Sequence, residues 1–197
     1  MTDDPRPPHH HGNLRQALVM AGLDLLREGG PGGLTLRRAA ARAGVSHAAP
    51  AHHFDGLAGL MTAMAAEAFG QFTASMASAR QSAPPGPRPR LEAICQGYLD
   101  FAATNRGLFH LLFVAPEVDR SDPALSAASA AAYGELRAAC LPFSATGTPD
   151  PVIEIGVWSM VHGYALLGLT DPASPRHRLV AVPGFSALLA RLVPESP

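Results

Sequence analysis

Apolar residues recur at helical spacing along most of this chain, and clusters of Gly and Pro mark where each run stops. Leu14, Leu18, Ala21 and Leu25 form the first stripe, with Arg15, Asp24, Arg27 and Glu28 outside it. Asn13 followed by Gln16 reads as the capping pair that opens this helix, and Gly29-Gly30-Pro31-Gly32-Gly33 as the loop that ends it. Leu36, Ala39, Ala40 and Ala43 predict a short second helix with Thr35 as its N-cap. Gly44 stops that helix, Val45 tucks into the angle, and Ser46 caps a third short helix that Phe54 closes onto the core. From Leu57 to about Arg80 a long stripe of Leu57, Leu60 or Met61, Met64, Ala68, Phe69, Phe72 and Met76 predicts a bridging helix. Four prolines in residues 82–89 break the chain, and everything beyond reads as helix. One stripe runs through Leu91, Ile94, Cys95, Tyr98 and Ala102, and a second, shorter one through Leu108, Phe109, Leu112 and Phe113. Asp122-Pro123 and Asp150-Pro151 each place a cap before a proline at the first helical position. They open helices reaching about Leu141 and Leu169, and a last helix covers Phe185 to Val193.

The composition fits an all-α chain. Hydrophobic residues make up 47% and aromatics only 6%, so the core is filled by Ala, Leu, Val and Met, and Ala-rich segments favour helix. Across 197 residues there is room for two modules on a continuous helical body. The formal net charge is −1 and all fifteen basic residues are Arg, which excludes a cationic coat over the whole surface. Cys95 and Cys140 read as buried, reduced thiols. No apolar run is long enough for a membrane span and no secretory signal is legible, so the expectation is a cytoplasmic protein. A nucleophile elbow, a phosphate-binding Gly loop and a helix with metal-spaced His and Glu are all missing from the sequence. The expectation is therefore no enzyme, no cofactor and no metal.

Charge matters locally. Between Thr35 and Phe54 lie three arginines and three histidines and no carboxylate, on two short helices joined by a tight turn. That is the pattern of a helix-turn-helix, whose second helix enters the DNA major groove. Ser46, His47, Ala48 and Ala49 would meet base edges first, since His47 can donate to guanine and the alanine methyls can meet thymine methyls. Thr35, Arg37, Arg38, His52 and His53 are the expected backbone contacts. A metal at these histidines is not expected, because His47, His52 and His53 do not share the three- or four-residue spacing that stacks two imidazoles. Trp158 and His162, four apart, would share one side of their helix. With Tyr98, Phe109 and Phe113 they read as the wall of a pocket for a small, mainly apolar ligand; the other reading is a buried indole beside a core imidazole.

Three segments in this order resemble the tetracycline-repressor (TetR) family of transcriptional regulators. They are His10-His11-Gly12-Asn13-Leu14-Arg15; Thr35-Leu36-Arg37 with Ala40, Ala43-Gly44-Val45-Ser46 and His53-Phe54; and Trp158 with His162-Gly163. The last is similar to the ligand-domain signature of one branch of that family. The resemblance implies an N-terminal three-helix DNA-binding domain, a long connecting helix and a C-terminal ligand-binding and dimerisation domain. The divisions expected are a flexible arm over 1–12, the DNA-binding domain over 13–56, the connecting helix over 57–81 and the ligand domain over 90–197. It also implies a homodimer on a palindromic double-stranded operator, repressing until a small-molecule effector binds. Gly156 and Gly163, seven apart, would lie on a face of the dimer interface, with the terminal helix completing a four-helix bundle. Two positions depart from the family pattern, Ala51 where an aromatic is usual and Leu57 where a Lys is usual; both would remove phosphate contacts. They leave open a helical dimer that has lost DNA binding and acts through its ligand or a protein partner.

Overall fold

The computed structural model describes residues 11–175 and 181–193, and among them the regular structure is entirely helical. Helix α1 (His11–Gly29) is followed by α2 (Leu36–Arg42), α3 (Gly56–Ser82) and α4 (Pro87–Thr104). Then come α5 (Arg106–Phe113), α6 (Pro123–Cys140), α7 (Pro151–Leu166) and α8 (Phe185–Leu192). The long helix α3 is the spine. Its N-terminal half packs on α1 and α2, and along its length it lies against α4, α5 and α6.

The starts and stops follow local chemistry. The Thr35 hydroxyl accepts from the Arg38 amide at 3.1 Å, satisfying one free donor of α2. Beyond Ala43 the chain turns through Gly44 at φ +70°, and the Val45 and Gly44 amides reach back to the carbonyls of Ala40 and Ala41. This paired closure needs a left-handed residue, which glycine supplies without a Cβ clash. Asp122 accepts from the Leu125 amide and Asp150 from that of Val152, so both Asp-Pro openings act as read from the sequence.

Two local expectations are corrected. Helix α1 begins at His11, so Asn13 lies inside it and is not its cap; residues 1–10 of the expected arm lie outside the described residues. The third helix, expected from Ser46, is a single 3-10 turn over Ala49–His52 with Ala48 at its cap position. Pro50 is the cause. In an α-helix starting at Ser46 its nitrogen would donate to the Ser46 carbonyl, and proline has no N–H to give. The chain bonds three residues back instead: Ala49 to Ser46, Ala51 to Ala48 and His53 to Pro50.

One hydrophobic cluster runs without a break from Leu18 in α1 through Met64, Phe72 and Tyr98 to Leu189 in α8. Cys95 and Cys140 are buried and unbridged. Burial pushes the Cys140 thiol up to about 12 and the Cys95 thiol higher still, so neither carries the thiolate that redox chemistry requires. No helix of the described residues is long and apolar enough to cross a membrane.

Candidate DNA interface and ligand cavity

The helix-turn-helix segment stands on α1 and the start of α3. Phe54 is buried where the turn meets the core, and the Arg15 guanidinium lies 5.3 Å from its ring centre. Ser46, His47, Ala48 and His52 are exposed, while Ala49 and His53 are half-buried. Arg37 is exposed and, among the described residues, pairs with no carboxylate. The other two arginines are engaged. Arg38 donates to the Gly33 carbonyl at 2.6 Å, and Arg42 grips both carboxylate oxygens of Glu28 at 2.8 and 2.5 Å. The Arg42 hydrogen bond holds the Glu28 carboxyl below its usual range. Arg42 therefore braces α2 against α1, while Arg37 and the remaining N–H groups of Arg38 are exposed and pair with no carboxylate among the described residues. Thr35, expected at the backbone, has its hydroxyl oxygen committed to capping, although it remains exposed. Leu57 is half-buried against the core, and Ala51 is exposed with no group to offer a phosphate.

In the other half a cavity of about 450 Å³ lies between α3, α4, α5, α6 and α7. Such a volume is in the range of small-molecule sites. Phe69, Phe72 and Met76 of α3 and Tyr98 of α4 form one wall, with Leu112 and Phe113 of α5 beside them. The rings meet edge to face: Phe72 lies 4.7 Å from Tyr98 and 5.9 Å from Phe113 between ring centres. Helix α6 supplies Ser126, Ser129 and Tyr133 on one face, and α7 supplies Trp158, whose indole lies 5.5 Å from the Tyr133 ring.

Of the five predicted ligand residues, Tyr98, Phe113 and Trp158 line this space; Phe109 and His162 stand behind it. The Tyr98 hydroxyl and His162 Nδ1 are hydrogen-bonded at 2.6 Å, and the imidazole lies 4.8 Å from the Phe113 ring and 5.6 Å from that of Phe109. Burial pushes the Tyr98 phenol up and the His162 imidazole down, so both are neutral at pH 7. The bonded pair packs within the aromatic wall. Trp158 thus lines the cavity while His162, one turn on, is hydrogen-bonded to Tyr98.

Pattern reading missed the contribution of α6 and of Arg120, because an Ala-rich helix shows no contrast between its faces. It also missed Glu154, which is buried on α7, accepts from the Tyr133 hydroxyl at 2.6 Å and lies 3.6 Å from Arg137. That hydrogen bond raises the Tyr133 phenol above its ordinary range. Gly156 explains itself within the chain: a Cβ there would stand 3.2 Å from the Leu192 side chain, so α7 and α8 approach closely at this point. Gly163 has open space around it. The close approach expected at Gly156 is thus made by the terminal helix, and Gly163 leaves room on the outer side of α7.

Structural elements link the two sites. Helix α3 carries the cavity wall at Phe72 and begins two residues after Phe54, about 24 Å away along its axis at 1.5 Å per residue. Helix α5 carries Phe113 at one end and Gly107 at the other, where a Cβ would stand 2.9 Å from the Leu26 carbonyl of α1. The buried Thr62 hydroxyl on α3 accepts from the Asp119 amide at 3.0 Å, next to Arg120 on the cavity rim.

A family model described as tetracyclin repressor-like, C-terminal domain, matches residues 91–191, just over half of the chain. Several solved structures share the fold nearly end to end. A protein with unknown function from Rhodococcus sp. RHA1 is 26% identical with a TM-score of 0.71, covering 94% of both chains. The multidrug binding protein EbrR, complexed with imidazole, is 21% identical with a TM-score of 0.64, covering 98% of both. A TetR-family transcriptional regulator from Streptomyces coelicolor is 17% identical with a TM-score of 0.59, covering 91% of this chain and 96% of that one. No curated protein matches the sequence. With the ligand-domain model matched over 91–191, the helix-turn-helix in place before it and the fold shared along almost the whole length, this chain belongs to the tetracyclin repressor-like family of transcriptional regulators, which regulate and do not catalyse.

Proposed function

We propose that the chain is a dimeric repressor that holds a palindromic DNA operator and releases it when a small, mainly apolar molecule enters the 450 Å³ cavity. The observation that carries this reading is the continuity of α3, which walls the cavity with Phe69, Phe72 and Met76 and also supports the turn closed by Phe54. A ligand that fits only when α3 and α5 stand slightly apart shifts the population toward a form whose two turns no longer match the half-sites. The reading makes Arg37 and Arg38 the phosphate contacts, and the exposed Ser46, His47 and Ala48 the groups nearest base edges, with Ala49, His52 and His53 beside them. It takes the apolar side chains exposed on α7 and α8, among them Val152, Ile155, Leu166 and Leu192, as the dimer face. On the Trp158, His162-Gly163 signature it assigns the chain to the branch that carries this motif.

A second reading, a helical dimer that has given up DNA and acts through its ligand or a protein partner, draws on the 3-10 turn at 49–52 and on Ala51 and Leu57. Enrichment of duplexes from a random library on the immobilised protein separates the two. The repressor reading expects an inverted repeat with half-site centres about one helical turn, roughly 34 Å, apart. Recovery of no sequence pattern would favour the second.

A further inference from the structure

The cavity wall is apolar and aromatic except along one side, and that side carries a single formal charge. Among the described lining residues Arg120 is the one ionised group, and no carboxylate lines the space. One guanidinium nitrogen of Arg120 donates to the Leu112 carbonyl, mooring the side chain at the rim. A guanidinium has five N–H donors, so that bond leaves most of them free. Among the described residues no Asp or Glu lies at ion-pair distance from Arg120. Its neighbour Asp119 uses one carboxylate oxygen to accept from the Ser121 amide at 2.9 Å and the Ser121 hydroxyl at 2.6 Å. Glu154 does not line the space; it accepts from the Tyr133 hydroxyl and lies 3.6 Å from Arg137. Ser126, Ser129 and Tyr133 continue the polar side at helical spacing from Arg120 toward Trp158.

We infer that the effector is an amphipathic organic anion, a monocarboxylate with an aryl or hydrocarbon body. Its carboxylate pairs with Arg120 at the rim and its body lies against Phe72, Tyr98, Phe113 and Trp158. A guanidinium opposite a carboxylate makes two parallel charge-assisted bonds, which neither an amide nor an amine can match. This rests on the cavity being the effector site.

The chain has one tryptophan, Trp158, and it lines the cavity, so its fluorescence reports entry. The full-length protein is titrated with 4-phenylbutyrate, its primary amide and 4-phenylbutylamine, following Trp158 emission and the heat of binding. The expected result is that the carboxylate binds at least about tenfold more tightly than the amide, with the amine weakest. Arg120→Gln then brings the carboxylate-to-amide ratio to about one, weakening the carboxylate far more than the amide. Equal affinity for carboxylate and amide, tighter binding of the amine, or a carboxylate preference that survives Arg120→Gln would overturn the inference and leave the cavity standing as a site. If no probe binds, or if binding persists when Ser129→Phe narrows the cavity, the site reading itself fails and the inference fails with it.

Discussion

Arg37 and His47 carry the sharpest consequences at the level of single residues. Arg37 is exposed on α2 with no ion pair among the described residues, so its replacement by Ala should weaken operator binding about evenly across sequences and lower the salt slope by about one. His47→Ala should cost about 1–3 kcal/mol on the preferred operator and less on random DNA, read by anisotropy titration. Circular dichroism should show both variants folded; unchanged affinity in both would remove these residues from the DNA contact. His162 gives a pH prediction. Burial pushes its pKa below the ordinary 6.5, so below that pH the unfolded chain binds protons more readily than the native one. The stability tied to its neutrality is complete above pH 6.5 and is lost as the pH falls through the lowered value. Urea unfolding at pH 7.5 and 5.0 should therefore show a smaller loss in His162→Gln than in the parent; equal losses would contradict it. Residue type and spacing made Tyr98, Phe113 and Trp158 legible as pocket residues. They could not show that His162 turns to the Tyr98 hydroxyl, because that depends on how α4 and α7 cross.

The helices themselves were readable wherever caps and breakers are strong. Thr35, Gly44, Asp122-Pro123 and Asp150-Pro151 all act where the sequence puts them. The failure came at Pro50, where a sound N-cap signal at Ser46 was overridden by one missing amide four residues on. Helix α6 was legible as a helix and silent as a wall, since alanine on every side hides which face meets the cavity. Close helix contacts supply the tests at this scale. In Gly107→Ala the new methyl would meet the Leu26 carbonyl at 2.9 Å, pushing α5 from α1. Its expected cost is about 1–3 kcal/mol in urea unfolding, together with a reduced effect of effector on DNA affinity. Gly134→Ala, in open space midway along α6, is the contrast and should stabilise by about 0.5–1 kcal/mol. Thr62→Val would strip the Asp119 amide of its acceptor; the expected outcome is intact DNA binding with a weakened effector response. A full response in both Gly107→Ala and Thr62→Val would mean that coupling runs through α3 alone.

For the whole molecule, a single cluster from α1 to α8 packs the turn closed by Phe54 and the cavity wall into one core, and the proposed function uses that continuity for coupling. Coupling of this kind is reciprocal: an effector that weakens DNA binding by some factor is itself bound more weakly on DNA by the same factor. On the proposed reading the apolar side chains exposed on α7 and α8 pair two copies beside the cavity, so ligand and partner would act on the same helices. Ile155→Asp with Leu166→Arg should shift the protein toward monomer in sedimentation velocity and abolish operator binding, although neither residue is near the DNA-facing turn. A monomer that still bound the operator at parental affinity would remove the dimer from the account.

Anisotropy titration against duplex DNA from immediately upstream of the protein's own gene, at low and high salt and with random duplex as competitor, tests the central claim most directly. The account predicts tight binding that falls steeply with salt and resists competition. Weak, sequence-blind binding there and on every other promoter tried would contradict it, and would leave a ligand-binding helical dimer whose partner is not DNA.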